Sequence, residues 1–152
     1  MRLSHFLCVI ALIPACASAL EPDAEVMKRG MAIYLRSCKP CHGETGLGLP
    51  PIFPPLVGLE RIHRDSSVFV RIIVNGLAGP TVVNGRSYSV PMNPVQLPEK
   101  NIAELITFVN NSWGNTGPTV TELEVAAIRK KYAGRKTHWT SDELQKEAPA
   151  KK

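Results

Sequence analysis

The chain has 152 residues, which is the length of one domain with room for a short tail. Its hydrophobic content of 44% is ordinary for a globular protein, and charged residues make up 20% with a net charge of +5. No internal repeat and no low-complexity segment occurs, which excludes repeat architectures and compositionally biased chains.

The first nineteen residues are typical of a secretory signal peptide. Arg2 precedes an apolar run over 6–13, and a stretch of small residues ends at Ala19, after which we expect cleavage. The apolar run is too short to span a bilayer, which needs roughly 20 residues. Two alternatives remain: a buried N-terminal helix, and lipoprotein processing at Cys16.

Cleavage changes the cysteine count and the charge. It removes Cys8 and Cys16 and leaves Cys38 and Cys41 as the only cysteines. Arg2 is the only charged residue lost, so the net charge falls from +5 to +4. No later segment is apolar enough to cross a membrane.

Four segments have helical signals: 23–38, 66–75, 98–113 and 122–133. Gly30 lies on the apolar stripe of the first segment, which predicts that another helix crosses closely there. The fourth segment opens with a capping box formed by Thr121 and Glu124. After Gly134 the chain turns polar, and we expect it to fray.

Two long loops, 43–61 and 79–98, connect these helices. Both are rich in Gly and Pro, and neither shows a sustained strand alternation. Structured loops of this length are unusual in a small helical domain. Their scattered apolar residues need a surface to pack on, and a large apolar cofactor would provide one.

The motif Cys38-Lys39-Pro40-Cys41-His42 has three possible chemistries. Structural zinc needs four ligands, and the remaining histidines show no ligand spacing. A redox dithiol would follow a strand, whereas this motif follows a helix. In c-type haem attachment, Cys38 and Cys41 bind the two vinyl groups of the porphyrin and His42 binds the iron. The third chemistry fits best.

The ligand on the other side of the iron can be argued by elimination. Met27 and Met31 lie on the helix that leads into the motif, and the helical rise carries them away from the distal face. His63 lies in a charged run and His138 in the polar tail. Met92, in a loop stiffened by prolines, is therefore the predicted ligand, with a loop-packing role as the alternative.

With these features the chain resembles the class I c-type cytochromes over about residues 24–115. The matching motifs are Gly30 and Tyr34, the Cys38–Gly43 motif, 53–58, 75–79, Met92 and 108–115. The resemblance implies an all-α cytochrome c fold, with three core helices around one covalently bound haem c and an extra C-terminal helix. It divides the mature chain into a cytochrome domain (20–115) and an extension (116–152) with a flexible tail.

The family also implies roles for individual residues. Cys38 and Cys41 form the thioethers, His42 is the proximal ligand and Met92 the distal ligand. The carbonyl of Pro55 accepts a hydrogen bond from the other ring nitrogen of His42. Weaker candidates contact the propionates or the haem edge: Tyr88, Arg86 and Trp113.

A haem iron with His and Met ligands has no vacant position, which predicts a one-electron carrier and not an enzyme. The expected partners are an exported dehydrogenase or reductase and a respiratory chain component, in the periplasm. Neither nucleic acid nor an integral membrane segment is expected. The alternatives are a fixed subunit of one oxidoreductase complex and a haem-based sensor or enzyme. The resemblance also implies a far-red absorption band in the oxidised protein, diagnostic of methionine ligation.

Overall fold

The computed structural model describes residues 21–59 and 65–147. This part of the chain forms, in order, α1 (Ala24–Ser37), α2 (Lys39–His42), α3 (Ser66–Asn75), β1 (Thr81–Val83), β2 (Arg86–Tyr88), α4 (Glu99–Asn110), α5 (Glu122–Lys131) and α6 (Ser141–Lys146). The predicted signal peptide, including Cys16, and His63 lie outside the described residues. None of the helices described is long and apolar enough to cross a membrane.

Helices α1 and α4 cross at Gly30. A Cβ atom at this position would lie 2.3 Å from the carbonyl oxygen of Glu104 and 2.6 Å from the Cβ of Phe108. Glycine in a helix costs about 1 kcal/mol relative to alanine, and here it allows the two backbones to approach. The predicted close helix crossing is confirmed.

Helix α4 is the most deeply buried element, and the main core forms around it. Its apolar side chains Ile102, Leu105, Ile106 and Val109 are almost inaccessible to solvent. They pack with residues of α1, α3 and α5 in one apolar cluster. The prediction of a mainly helical fold with core helices and an added C-terminal helix is confirmed.

Helix α4 ends three residues before the predicted end at Trp113. The side chains of Asn111 and Ser112 donate hydrogen bonds to the carbonyl oxygens of Thr107 and Phe108, at 2.9 Å and 2.6 Å. Such local side-chain bonds compete with the helical ladder. Trp113 then adopts a φ of 55°, outside the right-handed helical region.

The loop 79–98 contains a short antiparallel ribbon, which the sequence analysis did not predict. Strands β1 and β2 pair Thr81 with Tyr88 and Val83 with Arg86. Asn84 and Gly85 connect them with φ values of 48° and 74°. An Asn-Gly pair is the preferred connection of a two-residue hairpin because both residues tolerate positive φ. Each strand has only three residues, too few for an alternation to be visible.

The expectation that the chain frays after Gly134 is wrong for residues 135–147. A second capping box, formed by Thr140 and Glu143, begins α6. Just before it, Trp139 is 2% exposed and packs with Val68 and Leu144 in a second apolar cluster. One buried tryptophan therefore fixes a segment that is otherwise polar.

Candidate cofactor site

A cavity of about 610 Å³ lies between α2, the loop 43–59, α3 and the segment 77–96. This volume is within the roughly 300–1,000 Å³ typical of cofactor sites. Among the described residues that line it, none is Asp, Glu, Lys or Arg. The cavity therefore suits a large apolar group.

The Cys38–His42 motif forms one wall of the cavity. Helix α2 is a single turn, closed by hydrogen bonds from the amides of Cys41 and His42 to the carbonyl oxygen of Cys38, at 3.1 Å and 2.9 Å. Gly43 ends the turn with a φ of 75°. This compact turn brings both thiols and the imidazole to the same cavity, which all three side chains line.

His42 is buried, and one of its ring nitrogens is already engaged. Nδ1 donates to the carbonyl oxygen of Pro54 at 2.9 Å. Burial lowers the pKa of His42, while the bond to Pro54 acts in the opposite direction. A neutral imidazole with its proton on Nδ1 has Nε2 available for a metal.

The predicted acceptor, Pro55, is wrong by one residue. The amide of Gly48 donates to the carbonyl oxygen of His42 at 2.8 Å. A Cβ atom at Gly48 would lie 2.4 Å from the carbonyl oxygen of Phe53 and 2.5 Å from that of Pro54. This close approach places the Pro54 carbonyl beside the imidazole, while Pro55 only lines the cavity.

The two cysteines of the motif differ in exposure, since Cys38 is half-buried and Cys41 is exposed. Burial, with a contribution from Cys41, raises the pKa of the Cys38 thiol to about 12. Within residues 21–59 and 65–147, no three His, Cys, Asp or Glu side chains are grouped for a metal ion.

Met92 lies on the wall formed by the segment 77–96. It is half-buried and lines the cavity together with Val90 and Val95. The structure thus brings Cys38, Cys41, His42 and Met92 to one cavity. Neither Met27, Met31 nor His138 is among the described residues that line it.

The weaker candidates have different positions. Tyr88 is buried and lines the cavity. Arg86 is exposed on β2 and is not among the described lining residues. Trp113 also lies outside that lining and packs against Tyr34 and Phe108, with ring centroids 4.9 Å and 5.4 Å apart.

Asn115 supports the cavity wall from behind, a role that the sequence analysis did not assign. Its side-chain amide donates to the carbonyl oxygens of Leu56 and Val109, at 3.0 Å and 2.9 Å. Its side-chain oxygen accepts from the amide of Gly58 at 3.1 Å. The available signal was its position at the end of the family motif 108–115, directly after the helix predicted over 98–113.

The sequence model of the cytochrome c family matches residues 27–113, more than half of the chain. The chain belongs to the cytochrome c family. As a cytochrome c it binds covalently attached haem c, and the single matched domain is consistent with one haem. The apolar cavity with two thiols one turn apart and a buried imidazole fits this group.

This cytochrome c is similar in sequence to three characterised kinds of cytochrome. Cytochrome c-552 of Thermus thermophilus is 31% identical over 91 residues, which cover 57% of this chain and 69% of the relative. The cytochrome c subunit of a quinone alcohol dehydrogenase from Gluconacetobacter polyoxogenes is 29% identical over 119 residues, 76% of this chain. The gluconate 2-dehydrogenase cytochrome c subunit of Pantoea cypripedii is 28% identical over 105 residues, 66% of this chain. The matches span only 25% and 24% of these two subunits.

Proposed function

We propose that this cytochrome c is an exported single-haem electron carrier whose iron is held by His42 and Met92. Cys38 and Cys41 bind the haem through thioether bonds. The observation that supports this best is that all four side chains line one apolar cavity. The four predicted haem-binding residues therefore come together although they are up to 54 residues apart in the sequence.

The residues around the ligands have distinct tasks in this proposal. Bound haem with His and Met ligands supplies a centre that gains or loses one electron. The Pro54 carbonyl orients the imidazole of His42 through the 2.9 Å bond to Nδ1. Leu77 holds the backbone of Met92 through two hydrogen bonds of 2.9 Å. If His42 and Met92 hold the iron, no position would remain open for a substrate, which favours a carrier over a sensor or enzyme.

Export to the periplasm is part of the proposal and is supported by residues 1–19, the predicted signal peptide. Cleavage after Ala19 gives a mature chain that begins at Leu20. Intact-mass measurement of the protein from its native membrane and periplasmic fractions tests this. An acylated chain that begins at Cys16 would instead indicate a lipoprotein.

The partners we propose are an exported dehydrogenase or reductase and a respiratory chain component. A fixed subunit of one dehydrogenase is the second candidate, because two of the relatives are named as cytochrome c subunits of dehydrogenases. Purification at native expression separates the two. A free carrier elutes as a monomer, whereas a subunit copurifies in constant ratio with one larger protein.

Carbon monoxide binding tests the closed iron directly. The reduced wild-type protein should bind carbon monoxide weakly, and Met92→Ala should bind it readily because one axial position is then free. Met31→Ala is the matched control, since Met31 lies on α1 and is 49% exposed. Equal carbon monoxide binding by wild type and Met92→Ala would reject Met92 as the ligand.

A further inference from the structure

The C-terminal extension lies against the chain segment that carries Met92. Leu77 is the link: it pairs with Met92 as an antiparallel bridge and with Trp139 as a parallel bridge. Leu77 and Met92 exchange two backbone hydrogen bonds of 2.9 Å. On the other side, the Ala78 amide donates to the Trp139 carbonyl at 2.8 Å, and the Trp139 amide to the Gly76 carbonyl at 3.0 Å. Only the backbone around Leu77 therefore separates Met92 from the extension.

Trp139 is the anchor of this arrangement. It is 2% exposed and packs with Val68 and Leu144. The ring of Tyr132 meets it edge-on at a centroid distance of 5.1 Å, and the guanidinium of Arg135 lies 3.7 Å above its ring. Its indole N–H has no hydrogen-bond partner within the described residues. Towards the cytochrome c domain the Trp139 ring packs on Val68 and lies 5.2 Å from the guanidinium of Arg71 on α3. Packing and cation–π contact therefore hold the extension in place.

At Gly76 the extension and the Met92 segment lie so close together that no side chain fits between them. A Cβ atom there would lie 2.4 Å from Cδ2 of His138 and 2.5 Å from the carbonyl oxygen of Met92. Gly76 also has a φ of 78°, which favours glycine. Gly76 therefore touches both the extension and the backbone of Met92, and any larger residue there would displace one of them.

The extension contacts the segment 77–99 at two further places. Arg129 donates to the carbonyl oxygen of Leu97 at 2.6 Å and to the carboxylate of Glu99 at 2.7 Å. The hydroxyls of Ser141 and Thr81 are 2.6 Å apart. The extension therefore fixes this segment on both sides of Met92.

We propose that the extension is a positioning element for Met92, with Trp139 as its positioning residue. This rests on the proposed role of Met92 as an axial ligand. Swinging Met92 away from the iron requires breaking its pairing with Leu77 or moving Leu77 together with the extension. An external ligand binds only when Met92 is away, so its apparent affinity measures how often the segment opens.

The experiment uses the full-length haem-loaded protein and azide as the probe ligand of the oxidised iron. The test variant is Trp139→Ala, and Trp139→Phe is the conservative variant that keeps an aromatic ring. Leu123→Ala is the matched control, because it removes an apolar side chain from the same extension at a position that is 81% exposed. Arg129→Ala tests the second attachment independently.

We expect Trp139→Ala to raise the azide affinity by about tenfold or more, which corresponds to a loss of about 1.4 kcal/mol in closure of the segment. The far-red band of methionine ligation should remain, because the closed state still dominates, and the amides of Leu77 and Met92 should exchange hydrogen faster. Trp139→Phe should restore most of each signal. Arg129→Ala should shift them in the same direction, and Leu123→Ala should match the wild type.

The inference would be overturned if Trp139→Ala and Arg129→Ala both fold and both keep the azide affinity and amide exchange of the wild type. If Trp139→Ala does not fold, an unchanged Arg129→Ala protein overturns it alone. Absence of the far-red band from the wild type has a different meaning, because it rejects Met92 as the ligand and with it the proposed function. A band present in the wild type, with azide affinity and amide exchange unchanged in both variants, rejects only the positioning role.

Discussion

The hydroxyl of Tyr34 donates to the carbonyl oxygen of Gly43 at 2.6 Å, directly after His42 in the chain. Burial raises the pKa of Tyr34 above its usual range, so the phenol remains a neutral donor. Its ring contacts Phe108 and Trp113, which also covers Gly46. At the scale of single residues, the turn that contains the motif is thus fixed from the side opposite the cavity.

Replacing Tyr34 with Phe tests this support. Tyr34→Phe removes the donor and leaves the ring packing, so we expect the free energy of unfolding to fall by about 1–2 kcal/mol. Chemical denaturation of the haem-loaded protein measures the change. Tyr88→Phe is a comparison with a second buried phenol for which the structure gives no hydrogen bond to the motif. Equal losses in both variants would argue against a specific role for the bond to Gly43.

At the scale of elements, the sequence predicted what depends on side-chain pattern and missed what depends on backbone geometry. The predicted helix over 66–75 matches α3, and the capping box at Thr121 is present. The acceptor for His42 was misplaced because any residue's carbonyl can accept, and only the fold of the loop selects Pro54. The anchor at Trp139 was missed because one apolar residue in a polar segment gives no periodicity.

The crossing of α1 and α4 gives a prediction at this scale. Gly30→Ala places a methyl group 2.3 Å from the Glu104 carbonyl oxygen, a backbone atom that cannot move alone. Helix propensity favours alanine by about 1 kcal/mol, but overpacking costs about 1–3 kcal/mol or more, so we expect net destabilisation. Gly134→Ala is the control, since nothing lies within 4 Å of an added Cβ. Similar unfolding midpoints for the two variants would contradict the close crossing.

At the scale of the whole molecule, the extension contacts the cytochrome c domain around the segment that carries Met92. Buried apolar groups at Trp139 hold the extension against the domain, and an ion pair between Arg135 and Glu143, 2.7 Å apart, stabilises the fold of the extension itself. The hydrogen bond from Arg135, followed by the backbone bond from Thr140, holds the pKa of Glu143 below its usual range. The stability of the folded extension is therefore coupled to pH.

This coupling has a defined sign. Because the folded pKa of Glu143 lies below its unfolded value of roughly 4.3, the ion pair contributes its full stability above that pH. The contribution is lost as the pH falls through the folded pKa. We expect Glu143→Gln to reduce the loss of stability between neutral pH and about pH 3, measured by urea denaturation. An acid dependence identical to that of the wild type would show that the pair contributes nothing to the stability of the folded extension.

The far-red absorption band of the oxidised protein tests the ligation by Met92 most directly. We predict the band in the wild type and in Met31→Ala, and its loss in Met92→Ala with the haem still covalently attached at Cys38 and Cys41. A band that persists in Met92→Ala, or that is missing from the wild type at neutral pH, would contradict the account.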